Sequence, residues 1–244
     1  MTEPLTFGSL FSGIGGIDLG LERAGLACKW QSEIDSYSSR VLKKRWPNIP
    51  NYGDITKMQT DQIEKVDLIC GGFPCQDISV AGKGAGLKGE RSGLFYEFIR
   101  IVREIRPQYL LLENVAALLI RGLDDVLGTL AALGYDCEWH CIPAAAIGAP
   151  HRRDRIFILA NADSSRLQRW RSQKLSKCPR KRLTRASSSL QRFKKQCAQW
   201  EFEPGLGRVA NGIPRRVDRL KGLGNAVVPQ ISEWIGLNFF QGEQ

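Results

Sequence analysis

The sequence predicts an α/β fold with a doubly wound, mostly parallel β-sheet. Apolar runs of strand length alternate along the chain with segments of helical periodicity, as expected for parallel strands joined by crossover helices. A glycine-rich turn at residues 11–16 joins the first predicted strand to the first predicted helix, as in nucleotide-binding α/β units. The short apolar run at residues 66–72 is typical of a strand buried on both faces.

The predicted elements follow one another in a regular order. Strands are predicted at residues 6–11, 27–33, 66–72, 109–114, 137–142 and 155–161. Helices are predicted at residues 17–24, 36–46, 92–105, 123–133 and 231–240. Loops are predicted at residues 77–93, which are rich in Gly and Lys, and at residues 207–230, which are rich in turn residues. The first loop lies beside a strand end, where long loops often serve as lids.

Length and composition indicate one main globular domain. The chain has 244 residues, 43% hydrophobic and 25% charged, so a sizeable core can be buried. No apolar run approaches the roughly 18 residues of a membrane-spanning helix, and the first residues do not resemble a signal peptide. We therefore expect no membrane association.

The cysteines indicate a reducing compartment rather than a disulfide framework, because the seven are odd in number and scattered. Cys137 and Cys141 flank His140, but no second pair of metal ligands accompanies them. We therefore predict that these three residues serve packing and that the protein holds no metal.

The net charge of +10 is concentrated in one segment. Residues 164–200 contain twelve Lys and Arg and no acidic residue, whereas the rest of the chain is nearly balanced. Such a basic segment favours a polyanionic partner. The segment also has few aliphatic residues, so we interpret it as an insert.

The glycine turn brings the backbone close to a ligand at the start of a helix, although such a turn can also be purely structural. It is not a dinucleotide fingerprint, because counting G-x-G-x-x-G from Gly13 places Asp18 at the last position. Glu33 ends the second strand, and we expect Asp54 to follow a further strand. Both carboxylates then border one crevice at the strand ends, unless they are solvated loop residues.

Cys75 lies just beyond a predicted buried strand that ends in Gly-Gly. The preceding Pro74 fixes its own φ angle and so helps to aim the thiol. A cysteine beyond a strand end is placed where nucleophiles are usually presented, whereas Cys70, within the strand, is interpreted as a small buried hydrophobe.

Glu113 and Asn114 end another apolar strand. A carboxylate is an unusual choice for the core, so we interpret Glu113 as an acid or hydrogen-bond partner at the same crevice. Asn114 suits a helix N-cap.

Residues 151–155, His-Arg-Arg-Asp-Arg, directly precede the last apolar strand. Strand alternation predicts that His151, Arg153 and Arg155 point to one side. Two arginines on one face can bind a carboxylate, a phosphate or a base edge, although such a run is most often a solvated edge.

Taken in order, the motifs FSGIGG, GGFPCQ, ENV, HRRDR and GLGNAVVPQ resemble the blocks of the DNA cytosine-5 methyltransferase family. The resemblance covers about residues 5–162 and 205–240 and implies a Rossmann-like, S-adenosylmethionine-dependent methyltransferase fold. It implies a catalytic domain of residues 1–162 and 205–244 and a short basic target-recognition segment of residues 163–204. That segment is normally longer in the family, and His151 stands where the family usually has Gln.

The resemblance also implies the roles of individual residues. Cys75 would be the nucleophile, Glu113 would bond the N3 edge of cytosine, and Arg153 and Arg155 would hold the base and Glu113. The implied methyl-donor residues are Phe11, Gly13, Gly15, Gly16, Glu33, Asp54, Leu94 and Asn225. The implied residues around the cytosine are Phe73, Pro74, Gln76 and Asn114.

The implied reaction is methyl transfer from S-adenosylmethionine to carbon 5 of a cytosine flipped out of duplex DNA, with S-adenosylhomocysteine as product. The expected partners are duplex DNA and a companion restriction endonuclease. We expect a monomer in the cytoplasm of a prokaryote, or one of viral origin.

Three alternatives remain open from the sequence. One branch of the family methylates a transfer RNA cytosine with the same core motifs. A second alternative is a nucleic-acid-binding protein that keeps the methyltransferase core only as a scaffold. The third, an NAD-dependent oxidoreductase, is disfavoured by the broken glycine fingerprint.

Overall fold

The structure, a computed structural model, describes residues 3–74, 93–149, 151, 153–162 and 216–240. The predicted lid loop, the predicted nucleophile Cys75, the neighbouring Gln76 and the basic segment of residues 163–204 therefore lie outside the described residues. Within the described ranges, no helix is both long and apolar enough to cross a membrane.

Six strands form one mixed sheet. They are β1 (Thr6–Leu10), β2 (Ala27–Ser32), β3 (Leu68–Gly71), β4 (Tyr109–Val115), β5 (Asp136–Pro143) and β6 (Asp154–Asn161). Their order across the sheet is β2-β1-β3-β4-β6-β5. The first four strands are parallel, and β6 runs antiparallel to both of its neighbours. The predicted doubly wound, mostly parallel sheet is confirmed, with an antiparallel pair at one end.

The helices described by the structure lie between and after the strands. They are α1 (Gly16–Arg23), α2 (Ser36–Arg45), α3 (Gly93–Ile105), α4 (Leu123–Ala132), α5 (Arg216–Asn225) and α6 (Pro229–Ile235). A π-helical turn, Gly236–Phe240, follows α6. Shorter 3₁₀ turns are Ile55–Lys57, Thr60–Gln62, Ala116–Ile120 and Ala144–Ile147.

Two hydrophobic cores lie on opposite faces of the sheet, because side chains alternate along each strand. In β4, Leu110 and Leu112 pack in the core that contains α3 and α4. Leu111 packs in the other core, with α1 and α6. Burying a leucine of this kind contributes about 1.5–3 kcal/mol to the free energy of unfolding.

Helix α1 packs closely against the α6 region, and this contact requires small residues. A Cβ atom on Gly16 would lie 2.3 Å from the carbonyl oxygen of Val227, and one on Gly20 would lie 2.1 Å from Ser232 Oγ. The late segment of the chain is therefore fixed directly against the first helix.

Three details of the predicted secondary structure differ from the structure. Residues 216–225, predicted as part of a loop, form α5, whose Lys221 forms an ion pair with Asp35, the N-cap of α2. No strand among the described residues directly precedes Asp54, because Asn51 makes only an isolated bridge to Gln31. The predicted helix at residues 231–240 begins instead at Pro229, and its second half is the π-helical turn.

The prediction that Cys137, His140 and Cys141 serve packing is wrong for two of these three residues. His140 and Cys141 are exposed on the edge strand β5, whereas Cys137 is half-buried and packs against the core. The imidazole Nε2 of His140 lies 2.8 Å from a carboxylate oxygen of Glu138. Among the described residues, no group of three His, Cys, Asp or Glu is arranged to hold a metal ion.

Candidate active site

A cavity of about 450 Å³ lies at the carboxyl ends of the four parallel strands. This is the edge of an α/β sheet at which ligands usually bind. Twelve of the predicted site residues line it: Phe11, Gly13, Gly16, Glu33, Asp54, Phe73, Pro74, Leu94, Glu113, Asn114, Arg155 and Asn225. The sequence motifs therefore come together in one cavity.

The glycine turn after β1 has the conformation that its glycines allow. Gly13 and Gly15 have φ angles of 57° and 81°, in the left-handed region that favours glycine. The amide of Gly13 donates a hydrogen bond of 2.7 Å to Glu33 Oε2. Gly15 is not among the cavity-lining residues, and a Cβ atom there would lie 2.4 Å from the ring of Trp46. Gly15 therefore determines the shape of the turn without lining the cavity.

The acidic residues of the cavity are held by backbone and hydroxyl donors. Glu33 Oε1 accepts a hydrogen bond from the amide of Asp35, so backbone donors hold both of its carboxylate oxygens. Asp54 caps the turn Ile55–Lys57, and hydrogen bonds from the hydroxyl and amide of Thr56 lower its pKa. Each carboxylate keeps a fixed position beside the cavity.

A fully buried carboxyl group lies in the first turn of α1. Asp18 accepts hydrogen bonds from Ser9 Oγ at 3.0 Å and from Gln31 Nε2 at 2.7 Å. Burial raises its pKa to about 6, against the lowering effect of these hydrogen bonds. Asp18 thereby joins the first turn of α1 to β1 and β2. In the sequence, Asp18 is informative only because it interrupts the glycine fingerprint of an NAD site.

Several residues that line the cavity were absent from the predicted set. They include Ser12, Ile34, Asp35, Ser38, Val115, Lys221, Ala226 and Val227. Ile34 and Val115 directly follow predicted site residues at strand ends, so position alone could have identified them. Lys221 could not be identified in this way, because it lies in the helix that was predicted as a loop.

The antiparallel strand β6 explains how Glu113 meets Arg155. The end of β4 lies beside the start of β6, where Glu113 is opposite Phe157 and Val115 is opposite Arg155. Glu113 and Arg155 are therefore diagonal neighbours on one face of the sheet. Arg155 Nε lies 2.8 Å from Glu113 Oε1.

Glu113 is 8% exposed, and burial raises the pKa of its carboxyl group to about 7. The positive charges of Arg155 and Arg153 act in the opposite direction and are outweighed by desolvation. At neutral pH the group can therefore both donate and accept a proton.

The segment leading to Cys75 is tied to β4. The side-chain amide of Asn114 donates a hydrogen bond of 3.2 Å to the carbonyl of Phe73. A Cβ atom on Gly72 would lie 2.6 Å from Glu113 Oε2, so this residue must be small. Asn114 is not the N-cap of the following turn, because Val115 holds that position. Its amide instead fixes the segment that ends in Pro74.

The predicted alternation of residues 151–155 does not hold. Strand β6 begins only at Asp154, and Arg153 has a φ angle of 37°, which interrupts the extended backbone. His151 is exposed. Arg153 Nη2 donates a hydrogen bond of 2.6 Å to the carbonyl of Ala226, and Arg153 is not among the cavity-lining residues.

A cavity at the strand ends that is lined by a glycine turn and a buried carboxyl group is typical of the ligand site of an α/β enzyme. The model of the family "C-5 cytosine-specific DNA methylase" matches residues 5–203. The chain therefore belongs to the C-5 cytosine-specific DNA methylase family.

Curated relatives agree with this membership. The chain is 39% identical over 169 residues to the Type II methyltransferase M.DsaV of Dactylococcopsis salina, covering 67% of this chain and 47% of the relative. It is 33% identical over 174 residues to the Type II methyltransferase M.HhaI of Haemophilus parahaemolyticus, covering 70% and 53%. The chain spans about half the length of the curated relatives it matches.

The fold is similar to that of solved methyltransferases. The structure of the Entamoeba histolytica methyltransferase EhMeth matches with a TM-score of 0.59 and 18% identity, covering 66% of this chain and 54% of that one. The S. pombe Dnmt2 methyltransferase matches with a TM-score of 0.55 and 20% identity, covering 64% and 50%. At these identities the likeness concerns the fold alone.

Proposed function

We propose that this protein transfers a methyl group from S-adenosylmethionine to carbon 5 of cytosine in duplex DNA. The observation that carries the proposal is the buried Glu113–Arg155 pair, which shares one cavity with the glycine turn and with Pro74, the residue before Cys75. Membership of the C-5 cytosine-specific DNA methylase family supports the same reaction.

The cavity fits the proposed methyl donor in its chemistry. Phe11, Ile34 and Leu94 offer apolar surface to a planar base. Glu33 and Asp54 offer carboxylate oxygens to ribose hydroxyls and negative charge to a cationic sulfur. When bound, S-adenosylmethionine supplies the methyl group as an electrophile. Asn225 and the backbone of Gly13 and Gly16 complete the proposed donor site.

The proposed chemistry begins at Cys75. Carbon 5 of cytosine is a poor nucleophile, so the Cys75 thiolate adds to carbon 6 and converts the ring to an enamine. The electron pair of the thiolate sulfur forms the carbon–sulfur bond, and the displaced ring electrons become available at carbon 5. Phe73, Pro74 and Gln76 would then lie beside the base.

Glu113 balances the charge that this addition creates. The electron density moved onto the ring is neutralised when Glu113 donates a proton or hydrogen bond at N3. Arg155 holds the carboxyl group by its 2.8 Å contact, and Asn114 holds the adjoining segment. After methyl transfer, water takes the carbon 5 proton, the Cys75 thiolate leaves carbon 6 with the electron pair of the carbon–sulfur bond, and N3 returns its proton to Glu113, which restores the aromatic ring.

Methyl transfer to duplex DNA tests this function directly. Tritiated methyl incorporation from S-adenosylmethionine is measured for the wild-type chain, Cys75→Ser and Cys141→Ser, and the DNA is digested to nucleosides. We expect label in 5-methylcytosine with the wild type and with Cys141→Ser, an exposed cysteine outside the cavity. We expect none with Cys75→Ser.

Other outcomes separate the alternatives. Label in transfer RNA but not in duplex DNA would replace the proposed substrate. Full activity of Cys75→Ser would exclude Cys75 as nucleophile. Binding of the cofactor without methyl transfer to either nucleic acid would favour the scaffold interpretation.

The biological setting is part of the proposal. The curated relatives are named Type II methyltransferases and come from bacteria, which supports a cytoplasmic enzyme with a companion restriction endonuclease. An endonuclease gene beside this one, whose product is blocked by DNA that this enzyme has methylated, is the expected finding.

A further inference from the structure

Arg153 and Arg155 are two residues apart in the sequence but have different contacts. Arg155 contacts the carboxylate of Glu113. Arg153 contacts the carbonyl oxygen of Ala226 at 2.6 Å, across a sequence separation of 73 residues. The two guanidinium groups therefore stabilise different parts of the site.

The segment that Arg153 contacts forms one wall of the cavity. Asn225, Ala226 and Val227 all line the cavity. The carbonyl of Val227 packs against Gly16 at the start of α1, where a Cβ atom would lie at 2.3 Å. In the same segment, the carbonyl of Ala226 accepts the hydrogen bond from Arg153. The wall is thus held at two consecutive residues.

The backbone conformation and the burial of Arg153 both cost free energy, which packing alone does not explain. Its φ angle of 37° lies in the left-handed region, which is unfavourable for a residue with a Cβ atom. Burial and the neighbouring Arg155 both lower the pKa of its guanidinium group. Such a desolvated cation is stabilised by a close acceptor, here the Ala226 carbonyl.

From these contacts we propose that Arg153 is a positioning residue of the donor cavity. It holds the Ala226 carbonyl and thereby keeps the Asn225–Val227 wall in place before any DNA binds. This inference rests on the proposed function, since it concerns the binding of S-adenosylmethionine and S-adenosylhomocysteine in this cavity.

Calorimetric titration of the full chain with S-adenosylhomocysteine, without DNA, tests the inference. We expect Arg153→Ala to bind about tenfold more weakly than the wild type, the loss expected for one hydrogen bond from a charged donor. Arg153→Lys keeps a cationic donor and is expected to recover part of the affinity. In methyl-transfer assays, the KM for S-adenosylmethionine should rise while kcat changes much less.

Arg106→Ala is the matched control. Arg106 also has a positive φ angle, 54°, and its Nη1 donates to a distant backbone carbonyl, that of Leu133, at 2.8 Å. It is not among the residues that line the cavity. We expect this variant to bind S-adenosylhomocysteine as the wild type does, even where thermal unfolding shows an equal loss of stability.

The outcomes distinguish this inference from the proposed function. If the wild type binds S-adenosylhomocysteine and Arg153→Ala binds it equally well, the inference is overturned and the proposed function stands. The same conclusion follows if Arg153→Ala and Arg106→Ala lose affinity equally, or if Arg153→Ala loses only DNA affinity. A wild-type chain that binds no S-adenosylhomocysteine would overturn the proposed cofactor as well.

Discussion

At the scale of single residues, the proposed role of Glu113 predicts how the methylation rate depends on pH. Its pKa of about 7 means that the carboxyl group loses its proton as the pH rises through neutrality. If the protonated group is needed at N3 of cytosine, kcat should fall above about pH 7, by about tenfold per pH unit. Single-turnover methylation of duplex DNA between about pH 6 and pH 9 measures this dependence.

Glu113→Gln provides the matched comparison. The amide keeps the shape and one hydrogen-bond donor but cannot release a proton, so kcat should fall by roughly 10²-fold or more. The remaining activity should lack the decline that the wild type shows near pH 7. An identical decline in both proteins would mean that another group controls the alkaline limb.

At the scale of elements, Gly72 allows the segment that follows β3 to lie close to Glu113 of β4. A Cβ atom at this position would lie 2.6 Å from Glu113 Oε2 and would displace the carboxylate from Arg155. If Glu113 acts as proposed, Gly72→Ala should lower kcat by at least about tenfold, since a displaced carboxyl group loses its alignment. Methyl-transfer kinetics and thermal unfolding should be measured together.

Gly128→Ala is the control for this change. Gly128 lies within α4, and a Cβ atom there would meet nothing within 4 Å. The substitution should leave kcat unchanged and raise the free energy of unfolding by about 0.5–1 kcal/mol, because alanine is the better helix former. Wild-type activity of Gly72→Ala would show that the carboxylate tolerates displacement.

The sequence predicted most elements because their signals are local. The apolar run of β4 and the periodicity of α3 determine those elements with little help from distant residues. Helix α5 was missed because Gly222 and Gly224 weaken its local signal, and its ion pair to Asp35 is a long-range contact.

The positions of several site residues could also be predicted from the sequence. Parallel strands end at one edge of the sheet, so the sequence alone predicts that Glu33 and Glu113 border a common crevice. The direction of Arg153 was not predictable, because a single positive φ angle interrupts the alternation on which the prediction depended.

At the scale of the whole molecule, charge is distributed unevenly along the chain. If the basic segment contacts phosphates, the affinity for duplex DNA should fall steeply with salt, with a log–log slope of about −0.9 per phosphate contact. Fluorescence anisotropy with a short duplex at several salt concentrations between about 50 and 200 mM measures this slope. Binding insensitive to salt would contradict the assignment of residues 163–204 to DNA.

Two triple substitutions test which basic residues determine the salt dependence of DNA binding. Replacing Arg180, Lys181 and Arg182 with Gln should make the slope shallower. Replacing Lys43, Lys44 and Arg45, which are exposed at the end of α2, should change it little. Equal effects of the two variants would mean that overall charge, and not the basic segment, determines binding.

The cavity is assembled from distant parts of the chain, because Gly13 and Gly16 line it together with Asn225 and Val227. During synthesis, the sheet and its first helices leave the ribosome well before residues 225–227. A nascent chain thus carries its glycine turn and its buried carboxyl group without a complete cavity. The proposed methyl transfer would therefore begin only when the late segment has emerged and docked on α1.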